Sequence, residues 1–179
     1  MERLHTDRFR VAPGEKVDVT KLPTNVKPVY ESKEHYKQIL DAHLHELRGL
    51  QNLLYASNRY SLLLILQAMD AAGKDGIIDH VVSGVNPQGC QVYSFRHPGP
   101  EELEHDFLWN AVRRLPERGH IGIFNRSYYE EVLIVRVHPE ILRAQRLPEE
   151  LADEKTIWDR RFQSILNWKN TSIATGRRS

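Results

Sequence analysis

Apolar residues recur along this chain first at helical spacing and then in short, unbroken runs. From Glu31 onward, Ile39, Leu40, Leu44, Leu47, Leu50 and Leu54 recur at spacings of three and four, predicting an amphipathic helix with one packed stripe. Ser61–Gln67, SLLLILQ, is a continuous apolar run, the pattern of a strand buried on both faces. The run breaks at MDAAGKDG, and a helical pattern returns through Ile77, Ile78, Val81 and Val82. GVNPQG is a turn cluster, and CQVYSF (Cys90–Phe95) has the aromatic and β-branched content of a second strand. HPGPEE opens a helix, with Pro100 near its first turn and Leu103, Phe107, Ala111 and Leu115 in a stripe. IGIF (Ile121–Phe124) predicts a third strand. The helical stretch SYYEEVLIVRVH follows, stopped by Pro139, then a polar connector and one further helix. The order β-α-β-α-β-α predicts right-handed crossovers and a parallel sheet in an α/β fold.

Length and charge narrow the classes. The 179 residues fit one domain. Residues 1–30 show no sustained period and read as an extended arm, leaving 31–179 as the folded part. Lys plus Arg number 25 against 24 Asp plus Glu, so this chain is not built to coat nucleic acid or an anionic membrane. A local cationic groove stays open. The longest apolar run, Leu62–Leu66, falls far short of the ~20 residues a membrane helix needs. The first residues, MERLHTDRFRVAPGEKVD, lack the apolar stretch of a secretory leader, and Cys90 is the single cysteine, so a cytoplasmic setting is expected. Cys90 sits near a strand start, where burial is the expected role.

The loop after the first strand carries chemistry. A phosphate-binding loop has the form G-x-x-x-x-G-K-[ST] between a buried strand and a helix. Here that spacing survives as Ala68, four residues, then Gly73, Lys74 and Asp75. Backbone amides of Ala71, Ala72, Gly73, Lys74, Asp75 and Gly76, at a helix N-terminus, suit phosphate, and Lys74 adds a cation. Two departures stand out: Ala68 replaces the first Gly, and Asp75 replaces the Ser/Thr that would hold magnesium. Asp70 places a carboxylate inside an anion-binding loop, which makes sense as a magnesium ligand or a base.

A second constellation follows the third strand: Phe124-Asn125-Arg126-Ser127-Tyr128-Tyr129-Glu130-Glu131. A strand end in this topology points its next residues at the ligand crevice. Arg126 offers a planar fork for phosphate oxygens, and Glu130, four residues on, is expected on the same helix face.

MDAAGKDG and GIFNRSYYEE together, with HVVSGVNPQGCQV, HDFLWN and LPERGHIGIFNRSYYEEVLIVRVHPE, resemble the polyphosphate kinase 2 family over roughly Val29 to Phe162. The resemblance implies a P-loop kinase fold of three layers, α/β/α, around a thymidylate-kinase-like parallel sheet. It implies phosphoryl transfer between inorganic polyphosphate and nucleoside mono- or diphosphates with Mg2+, and a homo-oligomer. By motif match Asp70 falls on the family's catalytic acid, Lys74 on its phosphate-binding lysine and Arg126 on the arginine of its second motif. Asn125 stands where a magnesium-binding Asp often stands, so Asp70 and Asn125 are the implied metal residues. That pattern with Glu130 resembles the subgroup accepting both mono- and diphosphates.

The family also implies further strands and an arginine-bearing lid, and this chain is expected to lack them. WKNTSIATGRRS shows no apolar period; residues 167–179 read as a tail in a shifted frame, and weak turnover is expected. Two rival readings stand beside the first. An ATP-dependent nucleoside monophosphate kinase uses the same loop but wants Ser/Thr at Asp75; an inactive truncated chain would only bind phosphate or associate with subunits.

Overall fold

A computed structural model describes residues 7–23 and 25–178. Residues 1–6 and Thr24 of the arm and Ser179 of the tail lie outside the described residues. The chain divides into two units, 1–46 and 47–179. In the first, single 3-10 turns at Asp7–Phe9 and Val19–Lys21 interrupt exposed, extended chain, and α1 (Lys33–Ser57) begins.

The second unit holds a sheet in the order β2-β3-β1-β4: β1 (Ser61–Leu66), β2 (Cys90–Ser94), β3 (Ile121–Asn125) and the two-residue β4 (Arg177–Arg178). All pairings are parallel, and β3 lies between β1 and β2 in register from Leu62↔Ile121 and Cys90↔Ile121 to Leu66↔Asn125 and Ser94↔Asn125. Alternate residues serve opposite faces. Leu63, Ile65, Tyr93 and Phe124 pack with Ala111, Tyr128, Val132 and Ile165. Leu62, Leu66, Cys90, Ile121 and Ile123 pack with Leu47 and Leu54 of α1 and with Ile78 and Val82 of α2 (Lys74–Val82). Helices therefore cover both faces, and the fold is α/β in three layers. Each fully buried apolar side chain here contributes roughly 1.5–3 kcal/mol. Burial also pushes the Cys90 thiol up, which keeps it protonated and unreactive.

Four features depart from the sequence pattern. β1 is not buried on both faces throughout, since Leu64 is 40% exposed. The stripe Leu103–Leu115 is not one helix but two, α3 (Pro100–Leu103) and α4 (Trp109–Arg113). Asp106 accepts a hydrogen bond from the Leu108 amide at 2.9 Å, a local bond that competes with helix continuation. Pro139 ends α5 (Glu130–Val137) and also starts α6 (Pro139–Ala144), since its fixed φ and missing N–H suit a first helical position. Finally, WKNTSIATGRRS folds: α7 spans Ile157–Ala174, Trp168 packs on the core, and β4 pairs with the start of β1. Trp168 is held edge-on to Tyr128, with ring centroids 4.9 Å apart, a contact no local period signals.

A buried polar knot joins α5, α6 and α7. Arg161, 5% exposed, donates from Nη1 to the Glu131 carbonyl at 2.9 Å and to Glu131 Oε2 at 3.2 Å. Gln145 Nε2 donates to the same carboxylate oxygen at 2.6 Å, and Arg161 Nη2 donates to Gln145 Oε1. Burial pulls the Arg161 pKa down, and the Glu131 charge opposes that pull. Removing one partner should cost far more than removing both. Arg161→Met is expected to lose about 3–5 kcal/mol, and Glu131→Leu/Arg161→Met to recover most of it. Urea unfolding of the two variants checks this; a double variant no more stable than the single one contradicts it.

Candidate active site

The site forms where the parallel register ends. Leu66 and Asn125 are the last paired residues of β1 and β3, so the loops that follow leave the sheet side by side. The Arg126 amide donates to the Leu66 carbonyl at 3.0 Å and ties the second loop to the first. Three residues around this junction have positive φ: Ala71 at 60°, Gly73 at 87° and Arg126 at 63°. Backbone held in this region by non-Gly residues is costly and clusters where function shapes a loop. Gly73 uses its freedom to turn the chain into α2, whose N-terminus receives no side-chain cap.

The first loop presents its cation and carboxylates at the surface. Lys74 Nζ folds back to the carbonyls of Ala68 at 3.0 Å and Met69 at 2.7 Å, bridging the loop mouth. Ala71 and Ala72 complete the turn, while Lys74, Asp75 and Gly76 open α2. Asp70 pairs with Arg126 across the two loops; their side chains are 84% and 37% exposed. Asp75 Oδ1 accepts from Asn125 Nδ2 at 2.6 Å, while Asn125 Oδ1 is buried without a partner.

Arg126 and Glu130 do not share the helix face their spacing predicts. Arg126 is left-handed and lies ahead of α5, which starts at Glu130, so the two side chains leave in different directions. Arg126 goes to Asp70, and Glu130 Oε1 accepts from Gln67 Nε2 at 2.6 Å. Both still meet at one place. Each lines a cavity of about 410 Å3 whose wall includes Phe107, His105, Ile134 and Arg161. Sequence reasoning missed Gln67 and Ser127, whose hydroxyl donates to Gln67 Oε1 at 3.2 Å. The available signal was a polar residue closing an otherwise apolar strand run.

The arrangement combines a strand-to-helix loop with phosphate-loop spacing, an arginine shared between that loop and a mostly apolar pocket, and a carboxylate at the pocket wall. The sequence profile of the family described as polyphosphate kinase 2 matches residues 30–159. The chain belongs to the polyphosphate kinase 2 family. The "ADP-polyphosphate phosphotransferase" of Rhodopseudomonas palustris is 59% identical over 176 residues, 98% of this chain and 61% of that protein. The "AMP/ADP-polyphosphate phosphotransferase" of Meiothermus ruber is 36% identical over 93% of this chain and 60% of its own length. The crystal structure of polyphosphate kinase 2 from Arthrobacter aurescens TC1 superposes with a TM-score of 0.79 at 35% identity, covering 96% of this chain and 58% of that one. The chain thus spans about three fifths of the length of these relatives, and the family's P-loop kinase fold is the fold seen here. No helix among the described residues is long and apolar enough to cross a membrane.

The Asp70–Arg126 pair makes an electrostatic prediction. Without metal, the Asp70 carboxylate repels any incoming phosphate and is paired with the Arg126 guanidinium. Asp70→Asn should therefore tighten metal-free tripolyphosphate binding several-fold, as read by calorimetric titration. Weaker binding would show instead that the Asp70 carboxylate holds the loop in shape.

Proposed function

We propose that this site transfers phosphoryl groups between inorganic polyphosphate and a nucleoside mono- or diphosphate. One observation carries the reading: Arg126 contacts Asp70 of the phosphate loop and also lines the pocket, so a single cation faces both halves of the site. Polyphosphate lies along the loop amides of Ala71–Gly76 with Lys74 against its terminal phosphate. The acceptor lies in the pocket, its phosphate at Arg126 and its apolar portion against the Phe107 side.

Transfer then needs positioning more than covalent chemistry. An acceptor phosphate oxygen attacks the terminal phosphorus of polyphosphate, and the bond from that phosphorus to the bridging oxygen breaks. The shortened polyphosphate leaves with the electron pair. The attacking oxygen already carries charge, so no Ser or Cys nucleophile is required. Lys74 and Arg126 neutralise the equatorial oxygens as negative charge spreads over them. Lys74 exchanges its carbonyl partners for phosphate, and Arg126 exchanges Asp70 for the transferring group. Asp70 is then free to hold a metal or orient the acceptor oxygen.

The donor set fits magnesium. Magnesium is held by one or two carboxylates together with substrate phosphates, without a dedicated cage. Asp70 and Asp75 are hard oxygen donors at this loop, and the buried Asn125 oxygen, lacking any partner, adds a third. Bound there, magnesium would neutralise phosphate charge and help hold the transfer in line. Asn125 also donates to Asp75, which orients that carboxylate.

An assay with the 179-residue chain, AMP or ADP, magnesium and either polyphosphate or ATP tests the donor. Polyphosphate is expected to serve and ATP to fail; equal use of ATP would favour a nucleoside monophosphate kinase. Lys74→Met should lower turnover by about a hundredfold or more, with little change in Tm. Unchanged turnover in that variant would remove Lys74 from the mechanism.

A further inference from the structure

Gln67 sits between the two halves of the site, half-buried, one residue past β1 and directly ahead of the phosphate loop. Its planar amide is engaged at both ends. Oε1 accepts from the Ser127 hydroxyl at 3.2 Å, and Nε2 donates to Glu130 Oε1 at 2.6 Å. Ser127 is 2% exposed, and its Oγ accepts from the Tyr129 amide at 3.2 Å, which fixes the direction of the hydroxyl proton. The run is therefore directional: Tyr129 N–H to Ser127, Ser127 O–H to Gln67, Gln67 N–H to Glu130. Only one amide orientation satisfies both neighbours.

Glu130 is the first residue of α5 and lines the pocket beside Arg126. Its carboxylate would otherwise sample several rotamers, since Arg126 is turned away to Asp70. A neutral donor at position 67 holds the carboxylate without cancelling its charge. Methionine there offers no donor, and glutamate would set two carboxylates within hydrogen-bond distance of each other.

We infer that Gln67 is a positioning residue: it aims the Glu130 carboxylate at the acceptor in the pocket and so sets nucleotide affinity, leaving polyphosphate affinity to the loop beyond it. This rests on the functional reading above. A group that merely supported the fold would disturb the adjacent phosphate loop as well, and both ligands would weaken together. A group acting through Glu130 affects the nucleotide alone, and its effect vanishes once Glu130 is changed.

Calorimetric titration of ADP, and separately of tripolyphosphate, into wild type, Gln67→Met, Glu130→Gln and the double variant separates these cases. Gln67→Met should weaken ADP about tenfold, the scale of a lost hydrogen bond to a charged group. Tripolyphosphate should stay within about twofold, and Gln67→Met in the Glu130→Gln background should change ADP binding by less than about twofold. If Gln67→Met does not fold, Gln67→Glu/Glu130→Gln keeps the hydrogen bond with its charge reversed in place. That variant should melt as wild type does while still binding ADP more weakly. ADP affinity unchanged in Gln67→Met or in this exchanged pair, equal weakening of both ligands, or additive effects in the double variant would overturn the role of Gln67. A wild type that binds tripolyphosphate but no nucleotide would overturn the acceptor reading itself, and this role with it.

Discussion

The parallel pairing of β1 with β3 is the constraint on which the rest of this structure depends. Register runs from Leu62↔Ile121 to Leu66↔Asn125, so the chain leaves both strands at one level and on one edge of the sheet. Gln67 and Arg126 are the next residues on each side, and the amide of one loop reaches the last carbonyl of the other strand. Side chains alternate faces along a strand, so a slip of one residue would send Leu63 and Phe124 away from their shared core. It would also separate Asp70 from Arg126 and Gln67 from Glu130. Core packing and site geometry are thus one requirement.

Within that frame the site neutralises itself. Lys74 turns to loop carbonyls, Arg126 to Asp70, and Asn125 to Asp75. Each contact is exposed or half-exposed and therefore weak, and under the proposed function phosphate and metal displace it. The contrast is the Glu131–Arg161 knot, where the side chains are 12% and 6% exposed and every charge is met by hydrogen bonds. Adjacent residues on α5 thus face opposite duties: Glu130 looks into the site, and Glu131 anchors α7. A chain with a formal charge of +1 still sets two cations, Lys74 and Arg126, on neighbouring loops at the strand ends, which is what the proposed function requires.

Much of this was legible in the sequence because the signals were local. Buried runs mark the three main strands, and the spacing from Ala68 to Lys74 marks the loop, since both reflect backbone geometry that spans only a few residues. The positions of Asp70 and Lys74 in that loop and of Arg126 just after β3 follow for the same reason. What stayed hidden depends on contacts between distant segments or on one unusual dihedral. Spacing alone put Arg126 and Glu130 on one helix face, but the left-handed turn at Arg126 breaks that assumption. Gln67 disappears into an apolar run until its partner, 63 residues away, is placed beside it. Trp168 continues the spacing of Trp158, Phe162 and Ile165, but its edge-on contact with Tyr128 joins distant segments and shows only once they are placed side by side.

The central claim is that the loops after β1 and β3 form one binding site for a phosphate chain. Titrating tripolyphosphate with magnesium into isotope-labelled protein, and following backbone amides by NMR, tests it most directly. The account predicts that amides across Gln67–Gly76 and Asn125–Glu130 shift together along a single binding curve, while those of α1 stay still. Shifts confined to one loop, or two curves with different affinities, would contradict it.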